Sequence, residues 1–166
     1  FRPQRSAHAY QKIWTDEGSP LMVISRQVQL SLKKICRYPV ALGMRYGNPS
    51  IASAIDELMT KHPALTEIRL IPLYPHFALS STETVIQCAK KIMRHKYPNV
   101  TLTIQPAFYD DPNYIEALSE SIRTQLPTKY DHVLFSYHGL PIRHIKKTDV
   151  SGSHCLQVKE CCAKPS

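Results

Sequence analysis

The sequence alternates between helix-type and strand-type patterns, and this alternation restricts its fold more than any other feature. Capping residues predict the starts of three helices. Ser19 and Asp111 each precede a proline, and Ser50 precedes an apolar turn. Between the helical segments lie short apolar runs typical of strands, at 39–46, 68–73, 101–104 and 133–138. Strands that alternate with helices form βαβ units. The sequence therefore predicts an α/β fold with parallel sheets flanked by helices.

Each predicted helix carries an apolar stripe at spacings of three and four residues, which we expect to face a core. The helix after Ser19 should run to about Cys36, with its stripe at Leu21, Ile24, Val28, Leu32 and Ile35. A capping-box spacing, Ser80-x-x-Glu83, predicts the start of a further helix. The helix after Asp111 should bury Ile115, Leu118, Ile122 and Leu126.

The run 133–141 places His138 directly after an apolar stretch and before Gly139 and Pro141, so we expect a buried strand that ends at this histidine. Ligands of open α/β sheets bind beyond the carboxyl ends of the strands, which makes His138 the first candidate functional residue. A structural, hydrogen-bonded histidine is the alternative. Arg45 lies near the end of the predicted strand 39–46 in a similar way. Its guanidinium could bind a carboxylate through two parallel hydrogen bonds.

Length and termini predict how the chain is organised. With 166 residues it is long enough for one domain, yet it begins at Phe1 and stops in a polar stretch with no strand after it, so we expect a piece of a longer protein. Segment 105–111 is the expected domain boundary. It leaves most of one domain at 1–107 and the start of a second at 108–166. Because no signal peptide or membrane-spanning apolar run is visible, we expect a cytoplasmic protein.

The formal net charge of +8 favours an acidic small molecule or an anionic membrane surface as partner. Nucleic acid is disfavoured, because the lysine pairs are scattered and no motif places aromatic residues among them. The sequence does not decide whether the protein is a monomer or an oligomer.

Three of the five cysteines lie within eight residues, at Cys155, Cys161 and Cys162, and His154 is adjacent. Such a group could hold zinc or most of an iron–sulfur cluster, but the spacing fits no common zinc motif, and reduced bystander thiols are the equal alternative. Cys36 and Cys88 are expected to be ordinary buried thiols.

Four sequence blocks resemble the ferrochelatase family, whose members insert ferrous iron into a porphyrin during haem synthesis. They are residues 5–20, which contain Tyr10 and Gly18-Ser19-Pro20, then 43–49 (Gly-Met-Arg-Tyr-Gly-Asn-Pro), 72–82 (Pro-Leu-Tyr-Pro-His-Phe-Ala-Leu-Ser-Ser-Thr) and 135–141. The blocks span nearly the whole chain. The serine, aromatic, histidine, glycine and proline order around His138 is specific in combination with the Tyr-Pro-x-aromatic loop.

The resemblance implies a chelatase-like fold of two Rossmann-type domains with the porphyrin in the cleft between them. It implies that protoporphyrin IX is converted to protohaem, with Fe²⁺ as the second substrate. Coproporphyrin is the alternative porphyrin substrate, and the sequence does not distinguish the two. His138 takes the metal- and proton-handling position, and its acidic partner has no counterpart in these residues. Matching porphyrin contacts are Tyr10, Ser19 and Arg45, with Arg5 as a further contact. Since half the cleft is missing, residues 1–166 alone should be inactive.

The cysteine group and two rival functions complete the expectations. Leu79 stands where animal members carry a cluster cysteine, so the resemblance implies a bacterial type of [2Fe–2S] site at Cys155, Cys161 and Cys162, and peripheral membrane contact is a further expectation. A cobaltochelatase of the same fold is one alternative function. A metal carrier that uses the cysteines instead of His138 is the other.

Overall fold

A computed structural model describes residues 2–163, apart from the side chains of Arg2, Pro3 and Arg5. In chain order its elements are α1 (Arg2–Gln11), α2 (Pro20–Ile35), α3 (Ile51–Lys61), β1 (Glu67–Leu70), α4 (Thr82–Lys96), β2 (Thr101–Ile104), α5 (Pro112–Gln125), α6 (Ile142–Thr148) and a 3₁₀ turn (Cys161–Ala163). Nowhere in this described part does a helix have both the length and the apolar character needed to cross a bilayer.

The three predicted capping residues begin helices as expected. The side chains of Ser19, Ser50 and Asp111 each accept a hydrogen bond from the backbone N–H three residues later, at 3.3, 3.1 and 3.3 Å. These bonds satisfy amides that have no partner inside the helix. The capping box at Ser80 is not used, because α4 begins at Thr82, whose hydroxyl donates to the His76 carbonyl at 3.2 Å.

The sheet consists of β1 and β2, which lie side by side with α4 as their connection. Its parallel register is fixed at both ends: Thr101 N donates to the Thr66 carbonyl at 2.9 Å, and Gln105 N donates to the Leu70 carbonyl at 2.8 Å. Helix α4 buries Val85, Ala89 and Met93 at spacings of four residues, which is one helical face. The predicted fold class, a parallel sheet flanked by helices, is confirmed.

Two predicted strands are absent from the described residues. Residues 39–44 run without a sheet ladder until an isolated parallel bridge joins Met44 to Ser50. Residues 133–138 form no strand, and Leu134 is 91 % exposed there. Both predictions are wrong for the same reason: an apolar run becomes a buried strand only where a neighbouring strand accepts its hydrogen bonds, and the described chain places none beside either run.

The chain divides into two compact units. The first contains the described residues of Phe1–Ile68 and Cys88–Leu102, and the second those of Arg69–Gln87 and Thr103–Ser166. Ile51, Ala54 and Ile55 of α3 belong to the buried core of the first unit. The stripes expected to be buried on α2 and α5 are largely exposed: all five apolar positions of the α2 stripe are exposed, and on α5 so are Ile115 and Leu118.

Candidate active site

Arg45 lies in the first unit, in the turn between segment 39–44 and α3. The segment passes so close to the helix that a Cβ on Gly43 would lie 3.0 Å from Ile51 Cα. Met44 N donates to the Pro49 carbonyl at 2.7 Å, which closes the turn. The guanidinium of Arg45 lies 4.6 Å from the centre of the Tyr46 ring, a cation–π contact. This turn therefore presents a cation and an exposed aromatic ring side by side.

Ser19 and Tyr10 also belong to the first unit. Ser19 is half-buried, and its Oγ is already an acceptor for Met22 N at the start of α2. Its hydroxyl hydrogen is the group that could donate to a ligand. Tyr10 lies on α1 with 59 % of its surface exposed. The side chain of Arg5, the fourth predicted porphyrin contact, lies outside the described residues.

His138 belongs to the second unit and is exposed in the irregular segment before α6. The aromatic side chains around it are also open: Phe135 and Tyr137 are 61 % and 78 % exposed, with their rings stacked at 6.5 Å. Pro141 is the N-cap residue of α6, and its carbonyl accepts from His144 N at 2.8 Å. An exposed imidazole can bind a metal ion or accept a proton without first breaking an internal hydrogen bond.

Two histidine arrangements in the second unit were not foreseen. The ring of His76, in the Tyr-Pro-x-aromatic loop, stacks on Tyr109 at 5.1 Å with an interplanar angle of 12°. Phe108 N donates to the Pro75 carbonyl at 2.9 Å beside that stack, which ties the loops after β1 and β2 together. His144 carries a buried Nδ1 that has no partner within the described residues. No local signal could reveal the stack, because it joins residues that lie far apart in the sequence.

Asp149 organises the loop that carries the cysteines, and it too was missed. The residue is 8 % exposed, and its carboxylate accepts from Ser151 Oγ at 2.7 Å and from the backbone N–H groups of His154 and Cys155, each at 2.8 Å. The Ser151 hydroxyl and these amides hold the pKa of Asp149 far below its ordinary value. The Asp-Val-Ser-Gly-Ser sequence, a turn-forming composition, was the available signal.

The loop brings the three cysteines near one another, but the geometry is not that of a metal centre. Leu156 N donates to Cys161 Sγ at 3.4 Å, and His154 Nε2 donates to the Cys161 carbonyl at 2.8 Å. Burial raises the pKa of the Cys155 thiol, and the hydrogen bond with Cys161 raises that of Cys162. Within residues 2–163 no group of three or more cysteine, histidine or acidic side chains could hold a metal ion.

The loop with the three cysteines supplies fewer ligands than a [2Fe–2S] cluster needs. Such a cluster needs four ligands, and the loop supplies three thiols whose pKa values, where shifted, favour the protonated form.

Comparison with known proteins shows that the similarity to one family covers nearly the whole chain. The sequence model of the ferrochelatase family matches residues 1–165. The ferrochelatase of Pseudomonas fluorescens (strain Pf0-1) is 48 % identical over 99 % of this chain and 48 % of its own length. The ferrochelatase of Pseudomonas syringae pv. tomato is 47 % identical over 97 % of this chain and 47 % of its own.

A third relative, the ferrochelatase of Stutzerimonas stutzeri, is 46 % identical over 98 % of this chain and 48 % of its own length. The chain thus spans about half the length of the curated relatives it matches. The match of the family model to residues 1–165, together with these identities, shows that this chain belongs to the ferrochelatase family.

Proposed function

We propose that the protein is a porphyrin metal chelatase that inserts Fe²⁺ into protoporphyrin IX to form protohaem. The observation that carries the proposal is the family match over residues 1–165, which includes the His138 motif and the Arg45 turn. The activity belongs to the intact protein, of which residues 1–107 and 108–166 would form parts of two domains. Both porphyrin and ferrous iron are substrates in this reaction.

His138 is the proposed catalytic residue. Metallation removes two protons from the pyrrole nitrogens and strips water from the ferrous ion. A neutral imidazole can accept one of these protons near neutral pH, and it can also coordinate ferrous iron. The exposure of His138 in the segment before α6 supports either role, since its ring is open to a ligand.

Arg45, Ser19, Tyr10 and Arg5 are the proposed porphyrin contacts. The Arg45 guanidinium suits a propionate, because its planar donors match a carboxylate, and Tyr46 holds the cation by a ring contact at 4.6 Å. The Ser19 hydroxyl and the exposed Tyr10 phenol can donate further hydrogen bonds.

The activity is tested by mixing the intact protein with Fe²⁺ or Zn²⁺ under reducing, anaerobic conditions and following the visible absorption of the metallated ring. Protoporphyrin IX and coproporphyrin III are compared in parallel. The proposal predicts metallation of protoporphyrin at the higher kcat/KM. A preference for coproporphyrin would refute the proposed substrate, and no metallation of either ring would refute the chelatase function.

The contact residues are tested by Arg45→Lys, which keeps the charge and removes the planar fork of donors. It should raise KM for the porphyrin about tenfold, the cost of a lost charge-assisted hydrogen bond, and change kcat less. Lys129→Gln is the control, because this exposed residue of the second unit has no proposed contact. An unchanged KM in Arg45→Lys would remove the propionate contact.

A [2Fe–2S] cluster at Cys155, Cys161 and Cys162 remains a proposal for the intact protein, and it requires a fourth ligand from elsewhere and a rearranged loop. Analysis for iron, acid-labile sulfide and visible absorbance tests it. Their absence from anaerobically purified intact protein would refute it. We further propose that the protein works in the cytoplasm with peripheral membrane contact, without nucleic acid as a partner.

A further inference from the structure

A basic groove lies in the first unit, between the last turns of α2 and α3. Its volume is about 410 Å³, which is within the range of small-molecule sites in proteins. Its cations come from three parts of the chain: Lys33 from α2, Lys61 from α3 and Arg37 from the turn after α2. Glu57 is the one carboxylate among the described lining residues. Three permanent cations thus surround one acid.

The groove keeps a positive surplus after its negative charges are counted. Lys61 Nζ donates to Glu57 Oε1 at 2.7 Å, and this bond lowers the pKa of Glu57, with a smaller contribution from the charge of Lys33. Glu57 therefore stays ionised near neutral pH and offsets one cation. The carboxyl ends of α2 and α3 add partial negative charges that together equal about one more unit. Since three cations outweigh these charges, the groove attracts anions.

Lys33 and Arg37 are the cations that remain for an external anion. Neither forms a salt bridge with another residue of 2–163. Arg37 Nη2 donates to the Tyr38 hydroxyl at 2.8 Å, and the guanidinium lies 4.9 Å from the centre of the same ring. Because a guanidinium has five N–H donors, most of them remain for an oxygen-rich ligand. An arginine held in this way loses less side-chain entropy on binding than a mobile one.

The unit that contains the groove also carries the whole positive surplus of the chain. The first unit has thirteen lysine and arginine residues against five acidic ones, whereas the second has eight of each. The formal net charge of +8 therefore belongs to the first unit. A positive unit raises the local concentration of anions and speeds their encounter with the groove.

The shape and lining of the groove indicate the class of anion. A groove recessed between two helices admits a small ligand, whereas a membrane meets protruding side chains and a nucleic acid meets an extended track of cations. Lysines from separate helices suit the oxygens of a tetrahedral phosphate, and the arginine adds planar donors. Apolar surface from Tyr38, Pro39, Val40 and Leu58 also lines the groove, so an organic group beside the phosphate can pack there.

We propose that this groove binds a small phosphate monoester, whose phosphate oxygens accept hydrogen bonds from Lys33, Arg37 and Lys61 while its organic group packs on Tyr38 and Leu58. Such an ester carries a charge of about −1.5 to −2 near neutral pH. The residues proposed to contact the porphyrin are not among those that line the groove. The groove is therefore a second site, and its test does not depend on chelatase activity.

Isothermal titration calorimetry of the intact protein with phenyl phosphate, near neutral pH and at low ionic strength, tests the proposal. The parent should bind one equivalent. The groove variant, in which Lys33 and Arg37 are replaced by glutamine, should bind about 30-fold more weakly, because charge-assisted hydrogen bonds are lost. The matched control replaces Arg26 and Lys34 of α2 by glutamine. These exposed residues lie outside the lining, so the same loss of charge should change the affinity by less than about twofold.

The class of ligand is tested with two further probes and one further pair of variants. Inorganic phosphate lacks the organic group and should bind about fivefold more weakly than phenyl phosphate. Benzoate keeps the ring but carries one charge on a planar group, and should bind about tenfold more weakly. Glu57→Gln removes the negative charge inside the groove and should tighten phenyl phosphate binding about threefold. Glu17→Gln, at an exposed acid outside the lining, should change it little.

Four results would overturn the proposal. One is equal loss of binding in the groove variant and its matched control, when circular dichroism shows both to be folded. Another is binding of inorganic phosphate or benzoate as tight as that of phenyl phosphate. A third is loss of phenyl phosphate binding in Arg45→Lys, which would place the ligand at the porphyrin turn. The last is sedimentation with phosphatidylglycerol vesicles that requires Lys33 and Arg37 in a protein that does not bind phenyl phosphate, which would make the ligand a lipid headgroup.

Chelatase rates keep this proposal separate from the proposed function. Without a phosphate ester, the groove variant should metallate protoporphyrin at the parental rate. Phenyl phosphate binding that follows these predictions in a protein without chelatase activity would refute the proposed function alone. An active chelatase that binds no phenyl phosphate would refute the groove proposal alone.

Discussion

Gly43 is the position where one added methyl group should lower the stability of the protein most clearly. A Cβ at Gly43 would lie 3.0 Å from Ile51 Cα and 3.3 Å from Ala54 Cβ. Ile51 Cα is helix backbone and cannot rotate away, so either the 39–44 segment or the start of α3 must move by a few tenths of an ångström.

The magnitude follows from two opposing terms. Overpacking a close contact costs about 1–3 kcal/mol. Replacing glycine by alanine restricts the unfolded chain, which returns about 0.4–1 kcal/mol. We therefore expect Gly43→Ala to lower the free energy of unfolding by about 1–2 kcal/mol, which corresponds to a fall in Tm of roughly 2–8 °C.

Thermal and urea unfolding of the intact protein, followed by circular dichroism, measure this change. Gly139→Ala is the control, because a Cβ there would meet nothing within 4 Å. Its Tm should stay level or rise slightly. If Gly43→Ala is as stable as Gly139→Ala, the close approach of this segment to α3 is refuted. Since Arg45 lies two residues beyond Gly43, the same variant should raise KM for porphyrin more than it lowers kcat.

Three further changes test the packing and the loops. Asp111→Ala should cost about 1 kcal/mol of stability through the lost cap of α5, whereas Asp110→Ala removes the same charge and should cost little in the same urea titration. Met93→Ala empties a site that is 4 % exposed and should cost about 2–5 kcal/mol, against almost nothing for Val150→Ala at 96 % exposure. Asp149→Asn should destabilise the protein at pH 6, and the difference from the parent should shrink as the pH falls below about 4. The reason is that a carboxylate with a depressed pKa stabilises the folded state only while it is ionised; a constant difference in urea midpoint from pH 6 to pH 2.5 would contradict this.

Helices α2 to α5 could be predicted from sequence because their determinants are local, whereas α1 and α6 were not predicted. Caps at Ser19, Ser50 and Asp111 and the three-and-four spacing are complete within one segment, and the observed helices begin where they indicate. The strands were less predictable, since a strand exists only together with its neighbour. Thus β1 and β2 formed a parallel pair, whereas equally apolar residues at 133–138 did not form a strand.

The candidate site shows the same division between local and distant information. The motif around His138 and the Gly-Met-Arg-Tyr turn were visible in the sequence because their residues are contiguous. The stack of His76 on Tyr109 was not, because it joins residues of different loops. The low pKa of Asp149 was also hidden, because three of its donors depend on how the loop folds back.

We propose that His138 performs the chemistry of metal insertion. Initial rates of Fe²⁺ insertion into protoporphyrin by the intact protein test it most directly, with His138→Ala beside His132→Ala, a neighbouring exposed histidine. Loss of a residue that accepts a proton or binds the metal should lower kcat by at least about 100-fold, while His132→Ala keeps the parental rate. Equal rates in the two variants would contradict the assignment of the reaction to His138.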